Sequence, residues 1–465
     1  MRDVLLPLDP TLGRRDGLEK AIRNAIRAGT LTPGTVMAST RALAADYGFA
    51  RATVVAAYEQ LAIEGYLVAR QGVGTVVANL NVLAQAVKPE ESTEGATWYD
   101  VPPADFRPGE PDSSSFPRAS WIRSLKRVVN NSADSAFGYA EPKGRHELRR
   151  ALTEYLGRTR AVHAEPNAVS LFTGVTASFG FIGEALRSLG IERVAMEDPT
   201  LFILRQVLEL VGLTAVPVPL DTEGIDVDAL VRLDVGAVFV TPAHQYPMGI
   251  TMSPARRAQL VEWARTTSAW IIEDDYDGEF RYDRQPIGAL QGLDPTRVLY
   301  LGTASKNLSP GLRLSWAVVP DGLRRPLARV KHLRGLGSTI EQLALADFIE
   351  RGELDRQLRS TRTLYQDRRH AVGEIVAEHA PWLALSDAPA GLHFAATITD
   401  PSISEATVMQ AATAGGVGFL PLGPHWAAEA TSAGVVVGYS RPAAHQFNAA
   451  TDRLRDVLKS ISAEV

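Results

Sequence analysis

In the segment GTASKNLSPGLR, Lys306 comes three residues after the apolar run VLYLGT (298–303). If that run is a strand, the lysine sits just past its end, at the cleft where open α/β sheets bind ligands. An amine there can form a Schiff base with an aldehyde. Its ordinary pKa, about 10.4, must fall first, and partial desolvation near other cations lowers it. Arg313, seven residues on, can bind a phosphate together with the hydroxyls of Thr303 and Ser305, because a planar guanidinium suits that anion. Taken alone, a lysine in such a place is more often an ordinary surface residue.

Two further segments raise the weight of that lysine. IIEDDYDGEFRY (271–282) gathers Asp274, Asp275 and Tyr276 at the end of another apolar run. A carboxylate facing a pyridine nitrogen keeps it protonated and makes the ring an electron sink. A phenol two residues on can hydrogen-bond the ring's phenolic oxygen. Alone, these acids read equally well as solvated loop or capping residues. FTGVTASFG (172–180) reads as strand, turn and helix. The N–H groups around Gly174 and Val175 then form an anion site at the helix start, although such turns are common. No GxGxxG follows a strand and no GxxxxGK[ST] occurs, so dinucleotide and P-loop readings have no support.

The elements that must position these residues alternate. Strand candidates are 169–173, 193–198, 236–242, 269–275, 298–303 and 314–319, with helical stretches between most of them. That pattern predicts an α/β domain with a largely parallel central sheet. A long helical region is expected over roughly 340–380, then an α+β part with strands near 392–398 and 435–440. Residues 14–29 place Leu18, Ile22 and Ile26 four apart, an amphipathic helix. Residues 39–47 open on Ser39 or Thr40 as N-cap. Residues 51–64 form a third helix with Val54, Val55, Tyr58 and Leu61 inward. LVARQGVGTVVA then reads as two short strands around a Gly72-Val73-Gly74 tip. This order is that of a winged helix-turn-helix. The expected domains are 1–78, a linker over 79–104 that is polar around KPEESTEG, and 105–465.

Composition bounds the rest. With 465 residues, 45% hydrophobic and 22% charged, the chain is an ordinary globular protein of more than one domain. It has no cysteine, so no disulfide or thiolate metal site exists. Its nine histidines show no zinc-type spacing, and no metal is expected. No secretory signal or membrane span is legible, and the expected location is the cytoplasm. The net charge is −5, yet residues 1–78 hold nine Lys/Arg against seven Asp/Glu. That permits DNA binding by the N-terminal part without demanding it.

At this point the chain resembles the MocR/GabR-type subgroup of GntR regulators, a winged helix-turn-helix fused to a fold-type I, aminotransferase-like domain. The resemblance spans all but the linker. It is carried by RALAADYGFARATVVAAYEQLAIEGYLVARQGVGT, TPAHQYPMG, IEDDYDGEFRY, GTASKNLSPGLR and EQLALADFIERG, in the family's order. It implies pyridoxal 5'-phosphate as cofactor, with Lys306 as the Schiff-base lysine, Asp274 on the pyridine nitrogen and Tyr276 on the phenolic oxygen. Arg313, Thr303, Ser305 and the Gly174 turn match phosphate contacts. Tyr139 matches a tyrosine that reaches the neighbouring subunit's phosphate in a homodimer. His244 and Gln245 fall where the family lines the ring. It also puts Arg41, Arg51 and Thr53 against promoter DNA, with Gly72, Gly74 and Thr75 as the wing.

Three departures shape the functional expectation. Thr200-Leu201 stands where the family often has Gly-Tyr near the ring, leaving Phe202 to substitute. Val175 replaces a usual hydroxyl residue in the phosphate turn, leaving Thr176 or the backbone to serve. Val436 replaces the arginine that holds the carboxylate of amino-acid effectors, and Arg441 is expected on the following loop. A carboxylate without its bidentate arginine loses a charge-assisted partner. The expectation is therefore a DNA-binding regulator that senses pyridoxal phosphate or its adduct with an amine, with control of vitamin B6 synthesis by analogy. The alternatives are an aminotransferase with an accessory DNA-binding domain, or a scaffold that only dimerises.

Overall fold

The computed structural model describes residues 6–79, 101–138, 141–283, 287–332, 334 and 337–464. The chain divides into two compact units, Met1–Thr97 and Trp98–Val465.

The first unit follows its apolar spacing. Helix α1 (Arg14–Arg27) buries Leu18, Ile22 and Ile26 as one stripe. Helix α2 (Thr40–Tyr47) starts at Ser39, whose hydroxyl accepts the Ala42 N–H, and stops at Gly48 in the left-handed region. Helix α3 (Arg51–Ile63) buries Val54, Ala57, Tyr58 and Leu61. Val55, expected inward, is only half-buried, because it lies about 100° round the helix from Val54. The Tyr58 hydroxyl donates to the Ala38 carbonyl at 2.9 Å, tying α3 to the turn before α2. Strands β1 (Leu67–Arg70) and β2 (Gly74–Val77) pair antiparallel. At their tip Gly72 and Gly74 take φ of +81° and +107°, which a residue with a Cβ adopts only under strain.

The second unit begins before the expected Asp105. Ala104 is already paired, in β3 (Ala104–Asp105), with Val417 of a later strand. Helices α4 (Arg118–Asn131) and α5 (His146–Arg160) precede the main sheet. Its elements then follow in order: β4 (Val169–Phe172), α6 (Val175–Arg187), β5 (Arg193–Asp198), α7 (Phe202–Leu210), β6 (Thr214–Asp221), β7 (Gly224–Ile225), α8 (Val227–Val231), β8 (Ala237–Val240), α9 (Pro254–Thr267), β9 (Trp270–Asp274), β10 (Val298–Thr303), α10 (Ala304–Asn307), β11 (Ser315–Val318) and α11 (Asp321–Lys331). Eight of the strands form one sheet in the order β4-β11-β10-β9-β8-β5-β6-β7. It is parallel except for β11 and β7, which run against their neighbours.

Strand β6, TAVPVPLD, was not among the expected strands. Its two prolines remove ladder donors and read as a break. Its outer neighbour is only the two-residue β7, so the sheet tolerates them there.

The expected helical region over 340–380 is two helices, α12 (Thr339–Glu350) and α13 (Glu353–His379), separated at Gly352 with φ of +66°. A four-stranded sheet closes the unit, built from β12 (Leu383–Leu385), β13 (His393–Ile398), β15 (Leu420–Pro421) and β16 (Gly434–Gly438). Helices α14 (Glu405–Ala414) and α15 (Phe447–Glu464) pack with it, and β14 (Val417–Gly418) is the partner of β3. The sheet faces are dry: Val238, Phe239, Ile271, Leu301 and Ala317 are fully buried. That packing places the C-terminal ends of the parallel strands, and the residues that follow them, at one edge.

Candidate cofactor cavity and DNA-binding surface

At that edge lies a cavity of about 410 Å³, within the range of small-molecule sites. Lys306, Asp274, Tyr276, Thr303, Ser305, Arg313, Val175 and Phe202 all line it. They arrive from the ends of β9 and β10, from the one-turn α10, from the starts of α6 and α7 and, for Arg313, from the turn before β11.

Lys306 is held from below by the Gly109 carbonyl, to which its amine donates. Burial pulls its pKa down, and the nearby Asp274 carboxylate pulls the other way. Across the cavity, burial pushes Asp274 up to about 7, helped by the adjacent Asp275. Its Oδ1 is buried without a partner. A buried polar atom left unsatisfied is rare and asks for a donor, and a protonated ring nitrogen is such a donor.

The phosphate end is equally specific. Gly174, the N-cap of α6, has φ of +111°, and its N–H is taken by the Ser315 hydroxyl at 3.1 Å. The first N–H to bond back within the helix is Ser178, to the Gly174 carbonyl. The N–H groups of the turn before it, including those of Val175 and Thr176, make up the positive end of the helix dipole. Arg313 reaches the same turn from a left-handed backbone of φ +50°. The Thr303 hydroxyl accepts the Ser305 N–H at 3.1 Å and donates to the Ser305 hydroxyl at 3.0 Å. Two hydroxyls, one guanidinium and a helix N-terminus thus surround one corner, and the residues fit a phosphate-bearing pyridine aldehyde.

Two expected ring contacts lie elsewhere. His244 and Gln245 are buried behind the wall and do not line the cavity. The His244 ring is 2.9 Å from Asp277 and 3.1 Å from the Tyr276 hydroxyl through the same Nδ1, and Tyr276 donates to the His244 carbonyl at 3.0 Å. Gln245 donates to Glu197, Pro199 and Tyr246. Both sit one layer back because the chain turns there, so Tyr246, not its two predecessors, faces the cavity. Tyr139 lies outside the described residues.

Phe202 lines the cavity beside Leu201, with its ring tilted against His425 at 5.6 Å. Val436 is fully buried and pairs with Ala395 and Leu420, so that strand offers no cation. Arg441 is on the loop after β16 and is ion-paired to Asp105 at 2.9 Å and Glu110 at 3.3 Å.

Several lining residues lie outside the set expected from sequence: Gly109, Glu110, Tyr246 and His393. Tyr246 lies inside TPAHQYPMG, and His393 opens a strand that is otherwise largely apolar. His244, Asp277 and His393 also bring potential metal-ligand atoms within 4.8 Å of one another, with the His244 Nδ1 already engaged by Asp277.

In the first unit, Arg41 on α2 and Arg51 at the start of α3 are exposed, Thr53 is half-buried, and Gly72 and Gly74 are exposed at the wing tip with Thr75 half-buried. This is the arrangement in which a recognition helix offers its N-terminal turn to the major groove.

Comparison with known proteins agrees with both units. Residues 14–77 match the model of bacterial regulatory proteins of the gntR family, and residues 106–392 match aminotransferase class I and II. The chain is 33% identical over 459 residues to the probable rhizopine catabolism regulatory protein MocR of Rhizobium meliloti, covering 94% of this chain and 92% of that protein. The chain belongs to the MocR-type GntR-family transcriptional regulators. It is also 30% identical over 449 residues to the HTH-type pyridoxine biosynthesis transcriptional regulator PdxR of Corynebacterium glutamicum, covering 96% and 94%. Among solved structures, an archaeal alanine:glyoxylate aminotransferase shares the fold of the second unit. Its TM-score is 0.71 at 23% identity, over 77% of this chain and 91% of that one. These relatives support a DNA-binding regulator over an aminotransferase with an accessory domain, because the regulators match both units. The aminotransferase class I and II fold is pyridoxal phosphate-dependent. Among the described residues no helix is long and apolar enough to cross a membrane.

Proposed function

We propose that this MocR-type regulator binds pyridoxal 5'-phosphate through Lys306 and couples its occupancy, or its reaction with an amine, to promoter binding. One observation carries the reading: Asp274, which lines the same cavity as Lys306, has a buried Oδ1 with no hydrogen-bond partner. Asp274 would hold the ring nitrogen's proton and Tyr276 the phenolic oxygen. Arg313, Thr303, Ser305 and the α6 start at Gly174 and Val175 would hold the phosphate, and Phe202 would cover the ring. When bound, the cofactor supplies an electron-poor ring that reacts with primary amines. His244 would position Tyr276 from behind. The apolar Val436 leaves a simple amino acid without its usual carboxylate clamp, which favours pyridoxal phosphate itself, or an amine adduct, as signal. The similarity to a pyridoxine biosynthesis regulator supports control of vitamin B6 synthesis as the target process.

In the first unit Arg41, Arg51 and Thr53 would meet DNA, with the wing at Gly72, Gly74 and Thr75. A homodimer, carrying two such units and completed by Tyr139 from the partner, would raise operator affinity by avidity. The chain from 1 to 78 and the effector domain, which includes Ala104 as well as the expected 105–465, would act as separate domains joined by the linker between, in the cytoplasm.

The test is an absorption titration of the full chain with pyridoxal phosphate beside Lys306→Ala, followed by promoter binding with and without cofactor. A near-visible band that borohydride abolishes and the variant lacks is expected, together with a cofactor-dependent change in DNA affinity. No band in the parent, or DNA binding and transcription indifferent to the cofactor, sinks the proposal.

A further inference from the structure

A second cavity, about 730 Å³, lies where α5, the 278–282 segment and α13 meet. Its wall carries Arg158, Arg359, Arg362, Thr159, Thr363 and Gln366. Arg158 is paired with Asp355 at 2.8 Å. Arg362 spends its guanidinium on a neutral acceptor, the Glu279 carbonyl, at 3.0 and 2.7 Å. Arg359 is exposed, and among the described residues its guanidinium has no ion-pair partner. At the floor Arg160 is neutralised by a bidentate bond to Asp275 at 2.7 and 2.9 Å. The guanidinium groups of Arg359 and Arg362 therefore have no ion-pair partner among the described residues, in a concave, polar site where Arg281 is paired with Asp283 and the remaining carboxyl, that of Glu279, is buried and pushed up in pKa by that burial. Guanidinium pairs of this kind suit the oxygens of a phosphate.

We infer that this cavity is an anion site for a small phosphate-bearing molecule, linked to the cofactor cavity through the 274–279 segment. The linkage is short. Arg160, at the floor, donates to Asp275, the neighbour of Asp274, and to the Gly278 carbonyl at 3.2 Å. Glu279 accepts from Asn307, the neighbour of Lys306, at 2.9 Å. Arg362 holds the Glu279 backbone from the cavity side. An anion that draws Arg362 away from that carbonyl changes the restraint on the segment that carries Asp274 and Tyr276. Two ligands biasing one segment are coupled reciprocally. The concavity suits a small molecule; a duplex offers its phosphates on a convex rim.

The experiment titrates the full chain, loaded with pyridoxal phosphate, with inorganic phosphate and with glycerol phosphate at constant ionic strength, read by calorimetry. Saturable binding is expected, weakened ~10-fold or more in Arg359→Ala and in Arg362→Ala, as loss of one charge-assisted pair implies. A shift of the Lys306-linked absorption band on anion addition is expected in the parent and not in Arg359→Ala. Because Arg359 is exposed, its variant keeps the fold, which a thermal melt checks. Absence of saturable binding overturns the inference, as does binding unchanged in Arg359→Ala. Anion binding lost only in Arg313→Ala assigns the ligand to the cofactor's own phosphate corner and also overturns it. An Arg359→Ala chain that loses duplex DNA affinity but keeps phosphate binding identifies a DNA contact instead. The calorimetric arm reads the site even if the chain takes up no cofactor.

Discussion

The Arg313 guanidinium fills the space that a side chain on Gly174 would need. A Cβ built there would lie 2.9 Å from Nη2 and 3.0 Å from Cζ of Arg313. The glycine also takes φ of +111°, so two independent constraints forbid substitution at this corner.

Gly174→Ala is therefore expected to push Arg313 aside and to strain the α6 entry. The strain is worth about 1–3 kcal/mol for a residue held in a sparsely populated backbone region. The cofactor should bind ~10-fold weaker or worse, because the phosphate loses the helix N-terminus and the guanidinium together. Titration of the absorption band against a denaturant melt separates the two effects. Parent-like cofactor affinity in this variant would show that the phosphate sits elsewhere.

Asp274 gives the stability of the cofactor-free chain a pH dependence with a definite sign. Its pKa is raised to about 7 from an ordinary 3.8 by burial. Between those values the folded chain keeps a proton that the unfolded chain has released, so stability falls as pH rises through that window. Glu197, buried and likewise pushed up to about 7, adds to the same trend. Asp274→Asn should remove its share. Urea melts of the cofactor-free chain should find the variant more stable than the parent at pH 8, on the order of a few kcal/mol, with the two converging below pH 4. Equal stability at pH 8 would mean that Asp274 ionises in the fold at little cost.

The pairing of His244 with Tyr276 leads to a spectroscopic prediction. Tyr276 is held by the His244 ring at 3.1 Å and by the His244 carbonyl at 3.0 Å, and the ring is anchored on Asp277 at 2.9 Å. His244→Ala removes one of the two restraints and leaves Asp277 buried without the ring. The cofactor should still attach through Lys306, but the pH at which its absorption band changes should move. A merely structural role for His244 would lower the melting temperature and leave that pH unchanged.

Much of the site was legible because its residues follow apolar runs whose period marks strands. Asp274, Lys306 and the Gly174 turn each lie within two or three residues of a strand end, and a parallel sheet brings such ends together. What was not legible arrives by distant packing. Gly109 meets Lys306 across 197 positions of sequence, and no local pattern reports that. Tyr246 and His244 share one motif, yet which of them faces the cavity depends on how the segment after β8 turns. Strand β6 was hidden by Pro217 and Pro219, whose cost depends on what lies beside the strand and so on the sheet order. In the first unit the helix spacing was enough, because its core is made by neighbours in sequence; only Val55 was misplaced, by one step round α3.

The exposed Arg51 at the start of α3 is the sharpest test of the DNA-binding surface. Its helix is anchored by Val54, Ala57, Tyr58 and Leu61, all buried, so Arg51→Ala leaves the fold intact. If the side chain meets a phosphate, affinity falls similarly for all DNA sequences and the slope of log affinity against log salt shrinks by about 1 per contact. If it reads a base edge, the loss is about 1–3 kcal/mol at one operator position and specificity relaxes there. Either result places the start of α3 against DNA, and only the second places it in the groove. Binding isotherms at several salt concentrations, on the operator and on scrambled DNA, distinguish the two. Affinity and salt slope both equal to the parent's would move the DNA contact off the α3 N-terminus, leaving α2 and the wing to carry it.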